Sequence, residues 1–258
     1  MVYYNPLASF AGAALAVNSS NTIVDISSAA DDESFGVVSS PVATTNTDIR
    51  LRLRAKDGQA DQIYGKVAQD NVLSIMHPDM TDGTNGLLFP YTPVITFSQG
   101  VNYSEAALVH TNYGYSHYTG TPNASIDINA TFTVQNQREG AYAIAVLHFL
   151  RTVSKMYFGE QDKANKLAGL PPPVLLLEGY GNGMFNELPV IVQSHGWSFD
   201  DQINMVLCES AGITMYVPAK FTVNIKVVIQ QTPTLQRTEF SLDKFRTGEL
   251  MRKNKGWI

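Results

Sequence analysis

The segment EGYGNGMF sets Gly179, Gly181 and Gly183 directly behind a predicted strand, where a glycine-rich loop can cradle the pyrophosphate of a dinucleotide. That chemistry needs a helix after the loop, its amino terminus aimed at the phosphates. Here the third glycine is out of register and the chain runs on to Leu188 and Pro189 without a helical period, so the spacing predicts a tight turn between strands. His110 and His117 flank a tyrosine-rich stretch, with no carboxylate or thiolate at ligand spacing. Zinc requires three or four converging ligands, so no metal and no cofactor is expected. Cys208, in MVLCESAG, reads as a small packing residue. Asp31 with Asp32, or Asp200 with Asp201, could supply paired carboxylates for acid–base work. Adjacent residues on an extended chain point to opposite faces, so solvated turns are expected instead. With no GxSxG, HExxH or phosphate-loop pattern, no catalytic residue is expected and a hydrolase is disfavoured.

Composition narrows the class further. The chain has 258 residues, 16% charged and 44% hydrophobic, with a net charge of −5, which suits one globular domain with appendages or two small domains. Mild acidity argues against a grip on nucleic acid, which depends on clustered Lys and Arg. A single cysteine precludes an internal disulfide and suggests folding in a reducing compartment. The apolar run Leu7 to Val17 has no basic residue ahead of it and falls short of the roughly 20 residues that span a bilayer, so neither a signal peptide nor a membrane span is expected. The sequons at Asn18, Asn102, Asn123 and Asn129 then have no access to glycosylation.

The elements themselves are more informative than any motif. In SIDINATFTVQ, residues 125–135, Ile126, Ile128, Ala130, Phe132 and Val134 alternate with Asp127, Asn129, Thr131 and Thr133. This predicts a strand with one apolar and one wet face. Directly behind it the period becomes helical: Asn136 can cap and Glu139 can return the bond, as in a capping box. Tyr142, Val146, Phe149, Val153 and Met156 form the expected buried stripe, each contributing about 1.5–3 kcal/mol, with Gly159 as the stop. The helix is expected to run from Gln137 to Phe158. Further strands are predicted at 174–178, 190–193, 197–199, 204–207 and 221–230, the last alternating most clearly. RLRLR at 50–54 reads as a solvated edge strand blunted by charge. LLFPYTPVITFSQ places Ile95 and Phe97 on one side and Thr96 and Ser98 on the other, with Pro90 and Pro93 ahead of the strand.

Residues 101–123, VNYSEAALVHTNYGYSHYTGTPN, are too polar for a core and are expected to form an extended ribbon or long hairpin. Tyr103, Tyr113, Tyr115 and Tyr118 offer large contact area at low entropic cost, which favours a subunit interface over a ligand platform. Three domains follow: residues 1–48 as a loosely ordered or partner-ordered arm, 49–239 as the folded body, and 240–258 as a basic, aromatic docking tail. In the tail Phe240, Leu242, Phe245 and Leu250 supply the apolar contacts.

The succession LRAKDGQADQIYG, NVLSIMHPDMTDGTNGLLFPYTPVITF, HTNYGYSHY, VQNQREGAYAIAVLHFLRTVSKMYFGE, PPPVLLLEGYGNGMFNELPVIV and FSLDKFRTGEL resembles the tail-tube initiator and baseplate junction proteins of contractile-tailed bacteriophages, over most of residues 53–258. The resemblance implies a mainly β tail-tube fold with one long helix: two packed antiparallel sheets, as a sandwich or partly closed barrel, flanked by the helix. It implies a structural virion protein, not an enzyme, six copies of which form a ring in the tail baseplate, assembled in the host cytoplasm. The ring would join the hub ring protein to the tail tube protein and template tube polymerisation. Asp127, Asn129, Thr131 and Thr133 would face the lumen, the ribbon would bridge neighbours, and the helix would lie outside. DNA would pass without specific binding, and a tape-measure protein is a further implied lumen partner. The related hub-proximal ring of the same baseplate is the alternative position. From another class, a carbohydrate-binding β-sandwich would use Trp197 and the tyrosines as a sugar platform, but has no need of the long helix or the tail.

Overall fold

The computed structural model describes residues 16–17, 23–24, 49–56, 58–64, 74–81, 86–107, 109–158, 168–181 and 184–252. The chain divides into two compact units, Met1–Thr45 and Asn46–Ile258. In the first, β1 (Ala16–Val17) pairs with β2 (Ile23–Val24) in a short antiparallel ladder. The reading of residues 1–48 as an arm otherwise lies outside the described residues, as does Gly159.

The second unit is mainly β and antiparallel. Its elements are β3 (Arg52–Ala55), α1 (Ala60–Tyr64), α2 (Pro78–Thr81), β4 (Leu87–Leu88), β5 (Val94–Ser98), β6 (Asn102–Ala106), β7 (Tyr115–Gly120), β8 (Ser125–Thr133) and α3 (Gln137–Val153). They continue as β9 (Leu175–Gly179), β10 (Phe185–Phe199), β11 (Met205–Ser210), β12 (Ile213–Pro218), β13 (Lys220–Ile229), α4 (Pro233–Thr238), α5 (Leu242–Arg246) and α6 (Glu249–Arg252). Seven strands form one sheet in the order β4-β3-β9-β10-β13-β8-β5, while β6–β7 and β11–β12 are separate two-stranded ladders.

The expectation of a mainly β, antiparallel unit holds, and its large sheet is open, not a closed barrel. Its end strands are β4 and β5, and among the described residues α3 and the β11–β12 hairpin pack on its apolar face. The alternation in β8 and β13 explains why one face needs a cover. Ile126, Ile128, Ala130 and Phe132 stand beside Val227, Ile225, Val223 and Phe221, and all eight are buried. From α3, Ala143, Val146, Phe149, Leu150 and Val153 complete the same core. Phe132 and Phe221 stack with centroids 5.4 Å apart, and Phe89 and Phe199 extend the aromatic row to either side.

Asn136 caps the helix as expected, its Oδ1 accepting from Glu139 N–H at 2.9 Å, while the Glu139 carboxylate reaches back one residue further than a capping box, accepting from Gln135 N–H and Asn136 Nδ2, each at 2.8 Å. The helix is shorter than its sequence period suggests. It ends at Val153, where the Ser154 hydroxyl donates to the Arg151 carbonyl and Lys155 N–H closes a tight turn on Thr152. Met156 therefore leaves the stripe and is 46% exposed. Tyr142 stays half-buried because its hydroxyl both donates to the Leu88 carbonyl and accepts from the Leu88 N–H, each at 2.9 Å. Burial is the main reason its pKa is pushed up to about 12.

Three strand readings change. The segments at 190–193 and 197–199 are one strand, β10, which absorbs a bulge between Val192 and Ser194 and so carries its pairing with β13 through to Phe199. RLRLR is not an edge, because β3 lies between β4 and β9. Leu51 and Leu53 are buried, while Arg54 pairs with Glu178 and Glu187 of the neighbouring strands, so the charge is neutralised within the sheet. The glycine-rich segment is the β9–β10 turn, as expected: Tyr180 and Gly181 have φ of 57° and 80°, and a side chain at Gly179 would meet Leu51 Cα at 2.8 Å.

The β11–β12 hairpin is held by a close approach to α3. A Cβ at Gly140 would lie 1.9 Å from Cys208 Sγ, and Cys208 is itself 1% exposed. Gly140→Ala should therefore lower stability by about 1–3 kcal/mol through overpacking, despite a gain of about 1 kcal/mol in helix propensity. Urea unfolding checks this, and the Gly140→Ala/Cys208→Ala pair should recover part of the loss, since touching sites are not additive.

Candidate assembly surface

Three exposed surfaces of the second unit stand out, and each is built by a different local rule. The first is the uncovered face of the sheet. Register places Thr96, Asp127, Lys226 and Ser194 in one row across β5, β8, β13 and β10, and Val94, Asn129, Asn224 and Gly196 in the next. Thr131, Thr222 and Ser198 continue it. Asp127 and Asn129 are exposed, and Thr131 and Thr133 are half-exposed, so all four residues expected on the wet face are found there. Short hydroxyl bonds tie the face together: Ser98 to Ser125 at 2.9 Å and Tyr91 to Thr133 at 2.8 Å. Asp127 and Lys226 sit opposite one another, which keeps this row near neutrality. Val228, half-buried opposite Ile191, makes a small apolar island, consistent with the partial cover that its place in the sequence suggests.

The second surface is the tyrosine ribbon, which folds as the expected hairpin. Tyr103 lies opposite Tyr118, rings edge to face with centroids 6.2 Å apart. Tyr103, Tyr113, Tyr115 and Tyr118 are 62%, 84%, 57% and 62% exposed, so neither face of the ribbon is buried. A two-stranded ladder wet on both sides is at best marginally stable in water, and a contact partner would supply what it lacks. His110 and His117 belong to this exposed ribbon.

The third surface was only half legible. Phe240, Leu242 and Phe245 are exposed and, with Phe97 of the edge strand β5 and Ile229 of β13, line a groove of about 400 Å³. Leu250 differs from these three in being 1% exposed. The signal for this was the hydrophobic spacing of Leu242, Phe245 and Leu250, which helical turns bring together. The free edge of β5 beside the groove carries exposed Val94 and Phe97 and no charge, the kind of edge that pairs with another chain unless it is covered.

Trp197, considered as part of a sugar platform, lies instead on the helix side of the sheet. His195 stacks on it at 5.6 Å and the Arg151 guanidinium lies 4.8 Å from its ring centre. Burial, reinforced by Arg151 and Lys155, holds the His195 pKa below the usual value, and burial with Arg151 does the same to His148. The folded state thus binds these protons less readily than the unfolded chain. Stability from this source is complete above the ordinary histidine pKa of about 6.5 and falls as pH drops below it. The melting temperature should decline modestly from pH 7 to pH 5.5, and a His148→Gln/His195→Gln variant should show a flatter profile over that window.

No three acidic, histidine or cysteine side chains converge in a metal-binding group among the described residues, and no described helix is long and apolar enough to cross a membrane. Neither a protein-family model nor a curated protein sequence matches this chain, so its function is argued from these three surfaces.

Proposed function

We propose that this chain is a structural ring subunit at the junction of the baseplate hub and tail tube of a contractile bacteriophage tail. Six copies would close around a channel and template tube polymerisation. The observation that carries the reading is the division of one sheet into a wet face of Thr, Ser and Asn and an opposite face sealed by a helix, beside a tyrosine ribbon exposed on both sides. A wet, nearly neutral wall suits a lumen through which DNA slides without sticking, because binding would need clustered cations. The tape-measure protein would occupy the same lumen before DNA. The ribbon and the uncharged edge of β5 suit contacts between neighbouring copies, and growth of a tube on such a ring is nucleation by a heterologous template. The groove at Phe240, Leu242 and Phe245 would take part in contacts to the hub ring protein or the tail tube protein. The hub-proximal ring of the same baseplate is the neighbouring alternative. A carbohydrate-binding module is less well supported, because Trp197 is engaged by His195 and Arg151 on the covered side of the sheet.

Cryo-electron microscopy of intact particles at the baseplate-to-tube junction tests the reading. A sixfold ring that accepts this chain, β8 facing the channel and α3 outside, is the expected result; density that fits no tube-like ring refutes it. Tyr113→Ala and Tyr115→Ala should leave the melting temperature of the subunit within the equivalent of about 0.5 kcal/mol, as at other exposed sites, while reducing ring formation measured by sedimentation on baseplates. Leu242→Asp, at a side chain 72% exposed, should likewise fold normally and fail to incorporate. Normal incorporation would remove the groove from the assembly.

A further inference from the structure

The last two turns of α3 carry a surface that the ring reading does not use. Arg151 and Lys155 are exposed cations with no carboxylate in ion-pair contact among the described residues. The opposite end of the helix differs: there Arg138 reaches Asp79 at 3.1 Å, and His77 stands 3.5 Å from the same carboxylate. Arg151 is also held in place, its guanidinium over the Trp197 ring.

Beside Arg151 runs a groove of about 260 Å³ between α3, the end of β10 and the β11–β12 hairpin, lined by Leu147, His148, Phe199, Met205, Met215 and Tyr216. It falls below the roughly 300–1,000 Å³ of small-molecule pockets, a size better matched to an anchor side chain than to a whole ligand. Of its lining, Met205 and Tyr216 are 58% and 70% exposed, and Leu207 and then Glu209 follow along the same outer face of the hairpin. Methionine-rich, adaptable walls accept varied apolar anchors.

We propose that this surface docks an acidic segment of a partner protein, which seats one apolar side chain between α3 and the β11–β12 hairpin and places its carboxylates on Arg151 and Lys155. Charge complementarity selects this occupant. An anionic segment would pair with both cations, whereas a basic one would meet like charge directly. The net charge of −5 on the whole chain opposes the approach only weakly, because salt screens beyond about 8–10 Å while the local pair acts at contact. The inference stands on this patch alone and is independent of the ring assignment.

The test uses the full chain carrying Trp257→Phe, which leaves Trp197 as the sole tryptophan reporter beside Arg151. The probe is a twelve-residue peptide of Asp and Glu with a central Leu-Phe pair; a Lys-substituted peptide with the same pair and an all-acidic peptide without it are the comparisons. The expected result is a saturable change in Trp197 fluorescence with the first probe, weakened by added salt, weaker without the Leu-Phe pair and absent with the Lys peptide. Arg151→Glu should weaken binding about tenfold or more, and Lys155→Gln, at an exposed side chain, should weaken it by a smaller factor while leaving the melting temperature unchanged. Equal response to the Lys peptide, no saturable response, or unchanged affinity in both variants overturns the proposal. So does concentration-dependent self-association that Tyr216→Asp abolishes, which would assign the face to a second copy.

Discussion

The pairing of β8 with β13 is the contact on which the rest of the second unit depends. Along the ladder from Ser125 with Val228 to Thr133 with Lys220, side chains alternate between a fully buried and an open face, so a slip by one residue would exchange the two faces entirely. That ladder sets where α3 must lie, since Ile126, Ile128, Val223 and Ile225 need an apolar partner. It also sets what the uncovered side offers, since Asp127, Asn129, Asn224 and Thr222 are carried there by the same register.

The cover is built with little tolerance. α3 begins immediately after β8, its start held by Asn136 and Glu139, so its phase relative to the sheet is decided within a few residues of the strand end. Its far side accepts the β11–β12 hairpin only because Gly140 leaves room for Cys208. The lone cysteine is thus a packing residue; burial pushes its thiol pKa up and leaves it little thiolate to react. Helix and hairpin together leave the groove beside Arg151, so a surface for contact arises where two elements of unlike shape meet.

Assembly surfaces occur where the monomer leaves an element unfinished. The β6–β7 ribbon satisfies its backbone ladder but buries no side chain, and β5 ends the sheet with an uncharged edge. Both are costly to leave in water, and contact with another chain would repair both. The wet sheet face has no such need, since its hydroxyls and amides are content with solvent. The proposed ring would join the edges and leave that face hydrated.

Much of this was legible in the chain itself. Period-two alternation determined β8, β13 and the wet residues Asp127 to Thr133, and Asn136 with Glu139 determined where α3 starts, because these depend on neighbours a few residues apart. The tyrosine ribbon was legible for the same reason, being too polar to bury and too aromatic for a plain loop. The tertiary structure alone decided which strands are edges, placing Arg54 of β3 beside Glu178 and Glu187, residues far away in the chain. It alone buried Leu250, ended the helix before Met156, and laid a helix and a hairpin on the apolar face of the sheet. Local periodicity reports which face of an element is apolar; what covers that face is settled by long-range packing, which a pattern read along one segment does not contain.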